Sequence, residues 1–153
     1  MKKNYSLAFC ISLFTFAVIG ASQQEGVSFF YDEKTNTEWT CGKQLFSKLV
    51  IDGPTKNHVF FGEFSSSSDI DVNVKNLIII GSLVCANTID LKISNDFFNA
   101  GSITAETLNI EAGETVYNGL SDGAIAKIQA LGIDISFGDT EHKRLRVVKP
   151  SRN

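Results

Sequence analysis

The sequence predicts an all-β fold: a right-handed parallel β-helix (solenoid) of about four coils with a short C-terminal capping helix. Three observations predict it. Glycines recur at Gly42, Gly62, Gly81 and Gly101, at separations of 20, 19 and 20 residues. The segments between these glycines align with one another, and within each segment apolar residues alternate in short runs. A fixed period of this length is the mark of stacked repeats, and alternation is the mark of a strand rather than a helix. With 153 residues, 43% hydrophobic and 20% charged, the chain is long enough for one domain with a buried core.

Residues 1–22 read as a secretory signal peptide. Lys2 and Lys3 precede an uncharged apolar run from Leu7 to Ala21 that closes on Gly20, Ala21 and Ser22, the arrangement of a cleavable leader. The run is shorter than the roughly 20 apolar residues of a membrane-spanning helix. The expected location is therefore secreted (extracellular, cell surface or periplasm), with no transmembrane segment in the mature chain. Loss of Lys2 and Lys3 makes the protein more acidic than the formal charge of −3 of the full sequence.

Residues 23–48 are aromatic and irregular, with Phe29, Phe30, Tyr31, Trp39 and Phe46, and are expected to plug the first coil. Residues 49–119 hold the repeats. Gly81–Ala100 aligns with Gly101–Gly119 so that Leu83 meets Ile103, Ile89 meets Leu108, Leu91 meets Ile110 and Phe97 meets Val116. The unit from Gly62 follows the same phase, and Val59-Phe60-Phe61-Gly62 matches Ile78-Ile79-Ile80-Gly81.

Stacked coils bring equivalent side chains one strand spacing apart, about 4.8 Å. The predicted inward columns are Phe64/Leu83/Ile103, Ile70/Ile89/Leu108, Val72/Leu91/Ile110 and Val74/Ile93/Ala112. The predicted outward columns are Asp71/Asp90/Asn109 and Asn73/Lys92/Glu111. The second allows a Lys92–Glu111 pair worth at most a few tenths of a kcal/mol. An antiparallel sandwich with the same period is the competing fold, but hairpin dipeptides are few, Asp52-Gly53 and Asn118-Gly119 being the plain cases.

Residues 120–153 are expected to close the stack. Ser121 is placed to N-cap a helix bearing Ile125, Ile128 and Leu131 and stopping at Gly132, laid over the last coil. Ile133–Phe137 then alternates as a strand, Leu145–Val148 offers another, and a basic tail carries Lys143, Arg144, Arg146, Lys149 and Arg152 against Glu141. No aromatics interleave these cations and the body is acidic, so nucleic acid is not an expected partner.

Cys41 and Cys85 survive loss of the leader, in a compartment that permits disulfides. Two coils separate Cα atoms by roughly 9 to 10 Å, beyond the 7 Å limit of a disulfide. A bond requires the N-terminal segment to fold back; otherwise Cys85 is a small buried hydrophobe and Cys41 a free or intermolecular thiol.

The segment FFNAGSITAETLNIEAGETVYNG (Phe97–Gly119), with an extension back to Gly62, resembles the repeats of filamentous haemagglutinin and the contact-dependent inhibition exoproteins. The shared pattern is Asn-x-Gly-x-Ile-x-Ala followed by Leu-x-Ile-x-Ala-Gly. The resemblance implies a long-repeat type of right-handed β-helix and an adhesive role at the bacterial cell surface. The Asn-Pro-Asn-Gly secretion motif of such exoproteins does not occur here, which speaks against export through a dedicated partner pore.

Little points to chemistry. His58 and His142 lack the spacing of metal ligands and read as surface residues. No Gly-rich phosphate loop and no Gly-x-Ser-x-Gly elbow is present. Asp69, Asp71 and Asp90 form the nearest approach to a calcium cluster, with stacked carboxylates on a solvated face as the plainer reading, and Ser65–Ser68 reads as a turn. No catalytic, cofactor or metal residue is assigned. The expected function is that of an exported, non-enzymatic solenoid with an adhesion or structural role at the cell surface or envelope. Its candidate contact surface is Asp71, Asp90, Asn109, Lys92 and Glu111, and its expected partner a protein or glycan, with end-to-end self-association possible. The alternative is a minimal carbohydrate-binding or polysaccharide-degrading β-helix with its groove beside Asp69, Asp71 and Asp90.

Overall fold

The computed structural model describes residues 16–19, 27–133, 135–137 and 145–147, with side chains from 27 to 133. In order, the strands are β1 (Phe16–Ile19), β2 (Val27–Asp32), β3 (Thr37–Phe46), β4 (Lys48–Ser66), β5 (Ile70–Cys85), β6 (Thr88–Ile93), β7 (Phe97–Asn99), β8 (Ser102–Thr104), β9 (Thr107–Ala112) and β10 (Val116–Asn118). Helix α1 (Asp122–Ala130) follows, then β11 (Ile135–Phe137) paired antiparallel with β12 (Leu145–Val147).

From β3 to β10 every coil pairs with the next in parallel, making a β-solenoid of about four turns. Three strips of sheet surround one interior. The first carries Trp39↔Val59↔Ile78↔Phe98↔Tyr117, the second Gln44↔Phe64↔Leu83↔Ile103, and the third Ile51↔Val72↔Leu91↔Ile110. All four inward columns read from the repeat stand in this register. Phe64, Ile70, Val72, Leu83, Ile89 and Leu91 are buried, as alternation with one side in the core requires.

The ladder begins before residue 49, since β3 already pairs with β4 from Thr37 to Phe46. Above it lies β2, antiparallel to β3, so Phe29 and Phe30 roof the first strip. Phe30 stacks on Trp39 with centroids 5.7 Å apart. The aromatic N-terminal segment therefore closes the head of the stack as a strand. On the third strip the head edge is occupied by β1, antiparallel to Lys48–Ile51. The rest of the proposed leader lies outside the described residues.

Corners are held by polar ladders. Asn57 Nδ2 donates to the Thr35 carbonyl at 3.1 Å, Asn76 Nδ2 to Asn57 Oδ1 at 2.8 Å, the Asp96 N–H to Asn76 Oδ1 at 3.0 Å, and the Thr115 N–H to Asp96 Oδ1 at 3.1 Å. Asn57, Asn76 and Asp96 are buried, and each such group must be hydrogen-bonded or cost stability. Ser66, Ser67 and Ser68 make the expected turn, all three hydroxyls donating to the Ser47 carbonyl.

The first strip differs from the other two because both alternation sets are buried: Thr37–Cys41, then 57–60, then 76–80. Phe60 meets the inward Phe64 with ring centroids 5.5 Å apart, so His58 and Phe60 face the interior and Trp39, Val59 and Ile78 face outward. Helix α1 covers that outward side. Ser121 Oγ accepts from the Ala124 N–H at 3.2 Å, as an N-cap should, and Ala124 and Ile128 join the buried cluster. Lys127 reaches Asp96 at 3.8 Å. After the helix, a Cβ on Gly132 would lie 2.8 Å from Thr35 Cγ2 in the β2–β3 turn.

The helix thus starts beside the last coil and ends at the head of the stack. It runs along the solenoid instead of lying over the last coil. That coil remains open: Leu108 is 43%, Ile110 40% and Val116 50% exposed. Among the described residues no helix is long and apolar enough to cross a membrane.

Candidate interaction surface

The five residues proposed as a contact surface lie on the outer side of the third strip. Asp71, Asp90 and Asn109 form one column, and Lys92 and Glu111 stand in register in the next, below Asn73. Period-2 alternation puts them opposite Leu91 and Ile110, and the parallel stack fixes their separation at one strand spacing. Hydrogen bonds run along the columns. Asn73 Nδ2 donates to Asp52 Oδ1 at 3.0 Å and Asn109 Nδ2 to Asp90 Oδ1 at 2.6 Å, while Lys48 pairs with Asp71 at 3.7 Å. Each pair is solvent-exposed and contributes little to stability. What these bonds do is fix the orientation of Asp71, Asn73, Asp90 and Asn109.

Asp69 does not join this array. Its Oδ1 accepts the Thr88 N–H at 3.1 Å at the corner of the coil. The concave part of the surface lies at the other edge of the strip, where a shallow groove of about 350 Å³ runs between Asn73, Lys92, Ser94, Glu111 and Gly113. A second groove of about 320 Å³ crosses the second strip beside Lys43, Leu45, Glu63, Ser65 and Val84. Lys43 and Glu63 pair there at 3.3 Å. Among the described residues no three His, Cys, Asp or Glu side chains converge as metal ligands.

His58 is not on the surface, contrary to the sequence reading, and is fully buried. The register that stacks Glu38, His58 and Leu77 in one column carries it inward. Its Nε2 lies 3.0 Å from Thr40 Oγ1, and its Nδ1 lies 3.9 Å from Glu38 Oε2, beyond hydrogen-bond reach. Glu38 Oε1 is held by Lys56 Nζ at 3.0 Å, and that ammonium also sits 4.9 Å from the Tyr31 ring centroid.

A hydroxyl, an imidazole and a carboxylate in sequence have the order of a nucleophilic triad. Here Thr40 and His58 are wholly enclosed, so no substrate reaches them. The cluster ties the first two coils together. A spacing of 20 residues between Glu38 and His58 was the signal available in the sequence, but it is visible only once the repeat is extended back to Thr37.

Desolvation by burial lowers the His58 pKa from 6.5 to about 3. The carboxylate of Glu38 is too distant, and too engaged with Lys56, to reverse that. Below pH 6.5 the unfolded chain takes up a proton that the folded chain refuses. The stability from the neutral His58 is therefore complete above pH 6.5 and is lost as pH falls towards 3, at up to about 1.4 kcal/mol per unit. Urea midpoints measured from pH 7 to pH 4 should fall more steeply for the wild type than for His58→Phe. Parallel curves would show that His58 does not govern the acid limb.

Cys41 and Cys85 are both buried thiols, on different strips. Burial, the largest cause, raises the Cys85 pKa, which keeps the thiol protonated and unreactive. His142 and most of the basic tail lie outside the described residues. No family model, no curated protein and no solved structure matches the chain.

Proposed function

We propose that the protein is an exported, non-enzymatic solenoid that acts by contact, presenting its third strip to a protein or glycan at the bacterial cell surface or envelope. The observation that carries this reading is the array Asp71/Asp90/Asn109 and Asn73/Lys92/Glu111, set in register by the parallel stack, with Asn109 bonded to Asp90 and Asn73 to Asp52. A rigid array that is already ordered loses little entropy on binding. The outer side of the first strip, by contrast, is spent on α1. Removal of residues 1–22 on export would also take away β1 and bare the Lys48–Ile51 edge of the same strip.

The test is binding of fluorescently labelled protein to bacterial surfaces and to isolated envelope or matrix components. The triple variant Asp90→Ala/Lys92→Ala/Glu111→Ala should lose at least about tenfold in affinity, or about 1.4 kcal/mol. The second-strip control Glu63→Ala should bind as the wild type does. Equal binding by the triple variant, or no binding by the wild type, overturns the reading.

A carbohydrate-directed activity is the second reading, favoured by the groove between Lys92 and Glu111. Release of reducing or unsaturated ends from a glycan panel would support it. No turnover would leave the contact role.

A further inference from the structure

We propose that two copies of the protein join tail to tail through the last coil, about a two-fold axis passing between Asn109 of one copy and Asn109 of the other. The last coil offers three strand edges, β8, β9 and β10, which pair upward with β5, β6 and β7 and have no partner below among the described residues. Three inward apolar side chains, Leu108, Ile110 and Val116, remain 40–50% exposed through the opening. Open edges over exposed apolar side chains recruit another strand.

The shape of the end selects a second copy. In a helical stack the end is a ramp that rises by one strand spacing per turn, from β8 through β9 to β10. A two-fold axis through β9, at the middle of the ramp, sets high against low, so β9 meets β9 of the second copy and β10 meets its β8, all at one spacing. Stacking of tail on head lacks this match, because β2 runs antiparallel across the head of the first strip.

Backbone polarity agrees. The Thr107 and Gly113 N–H groups donate to the Asn87 and Ile93 carbonyls of the preceding coil at 3.0 and 2.9 Å. In a parallel ladder the alternate residues Leu108, Ile110 and Ala112 then point their N–H and C=O groups out of the edge. Antiparallel pairing with Leu108 opposite Ile110 of the second copy joins free-edge backbone groups to free-edge backbone groups and keeps their side chains on the interior face.

Charge disfavours one of the two neighbouring registers. The last coil carries Glu106, Glu111 and Glu114 and no Lys or Arg. With Asn109 opposite itself, Glu111 faces Thr107, Glu106 faces Ala112 and Glu114 faces Thr104. A shift of one residue per copy that centres the pair on Ile110 sets Glu106 against Glu114, and like charges directly opposite destabilise a pair; the centre of β9 (Thr107–Ala112) lies between Asn109 and Ile110, away from a pair centred on Leu108. The interface is isologous and closes on itself, giving a dimer and no filament.

The dimer is independent of any ligand on the third strip, so its failure would leave the contact function standing. Sedimentation equilibrium of the full chain should give twice the monomer mass. Ile110→Asp should give the monomer mass with an unchanged far-ultraviolet circular dichroism spectrum. Asn109→Cys should form a disulfide-linked dimer under mild oxidation, since a non-hydrogen-bonded antiparallel pair has Cα atoms about 4.5 Å apart. Asp90→Cys, one coil up in the same column, should not. A monomer at all concentrations, species growing beyond a dimer, or a dimer without the Asn109→Cys cross-link overturns the proposal. The cross-link decides even where Ile110→Asp disturbs folding, because Asn109 is exposed.

Discussion

Gly81→Ala should abolish the folded state. Gly42, Gly62 and Gly81 stand one above another at the bend between the first and second strips. Gly81 has φ +122, and a Cβ there would lie 1.9 Å from the Gly62 carbonyl oxygen. Two penalties coincide: a backbone conformation that side chains rarely adopt, and a collision with backbone of the adjacent coil. Relief requires the two coils to separate, which breaks the ladder on both sides of the bend. The expected cost exceeds about 4 kcal/mol, against about 5–15 kcal/mol for a whole domain. Thermal unfolding followed by circular dichroism should lose its cooperative transition. Gly123→Ala is the contrast. It lies in α1 with its nearest neighbour, Ser121 Oγ, 3.9 Å from the added Cβ, and should stabilise by about 0.5–1 kcal/mol. Tolerance of Gly81→Ala would mean that the coils do not approach at this bend.

Leu91→Asp and Lys92→Asp form the second test, on neighbouring residues with opposite fates. Leu91 is 1% exposed and stacked between Val72 and Ile110. A carboxylate there has no partner and must stay charged at a cost of several kcal/mol or take up a proton. Loss of the leucine adds about 2–5 kcal/mol. Unfolding is the expected result. Lys92 is exposed on the outer side, so Lys92→Asp should change stability by less than about 0.5 kcal/mol, a small penalty coming from the nearby Glu111 and Asp90. Urea denaturation distinguishes the two directly. Similar behaviour of both variants would contradict the inward and outward assignment of the third strip.

The columns of the second and third strips were legible because each strand there has one dry and one wet side. Alternation then appears in the sequence, and the glycine period sets the phase from coil to coil. The five candidate surface residues follow from the same reasoning, since an outward position is whatever an inward column leaves. The first strip was harder. Val59-Phe60-Phe61 and Leu77-Ile78-Ile79-Ile80 are continuous apolar runs, as strands covered on both sides are, and a continuous run carries no phase. Nothing in that run marks His58 as an inward residue, and without metal-ligand spacing it reads as a surface one. Its neighbours Glu38 and Thr40 belong to a coil whose start the aromatic N-terminal segment conceals.

By itself, the sequence determined the repeat, the parallel stacking, the columns Ile70/Ile89/Leu108 and Val72/Leu91/Ile110, and the polar array outside them. These follow from local alternation and a fixed period, which act over one coil at a time. Tertiary structure alone decided where α1 goes, which end is open and which polar groups are enclosed. The amphipathic pattern of α1 states only that one side is to be buried, and both the open last coil and the outer side of the first strip offer apolar surface. Its course was settled by contacts spanning the length of the stack, Lys127 to Asp96 and Gly132 to Thr35, between segments whose separation in the chain leaves no periodic trace.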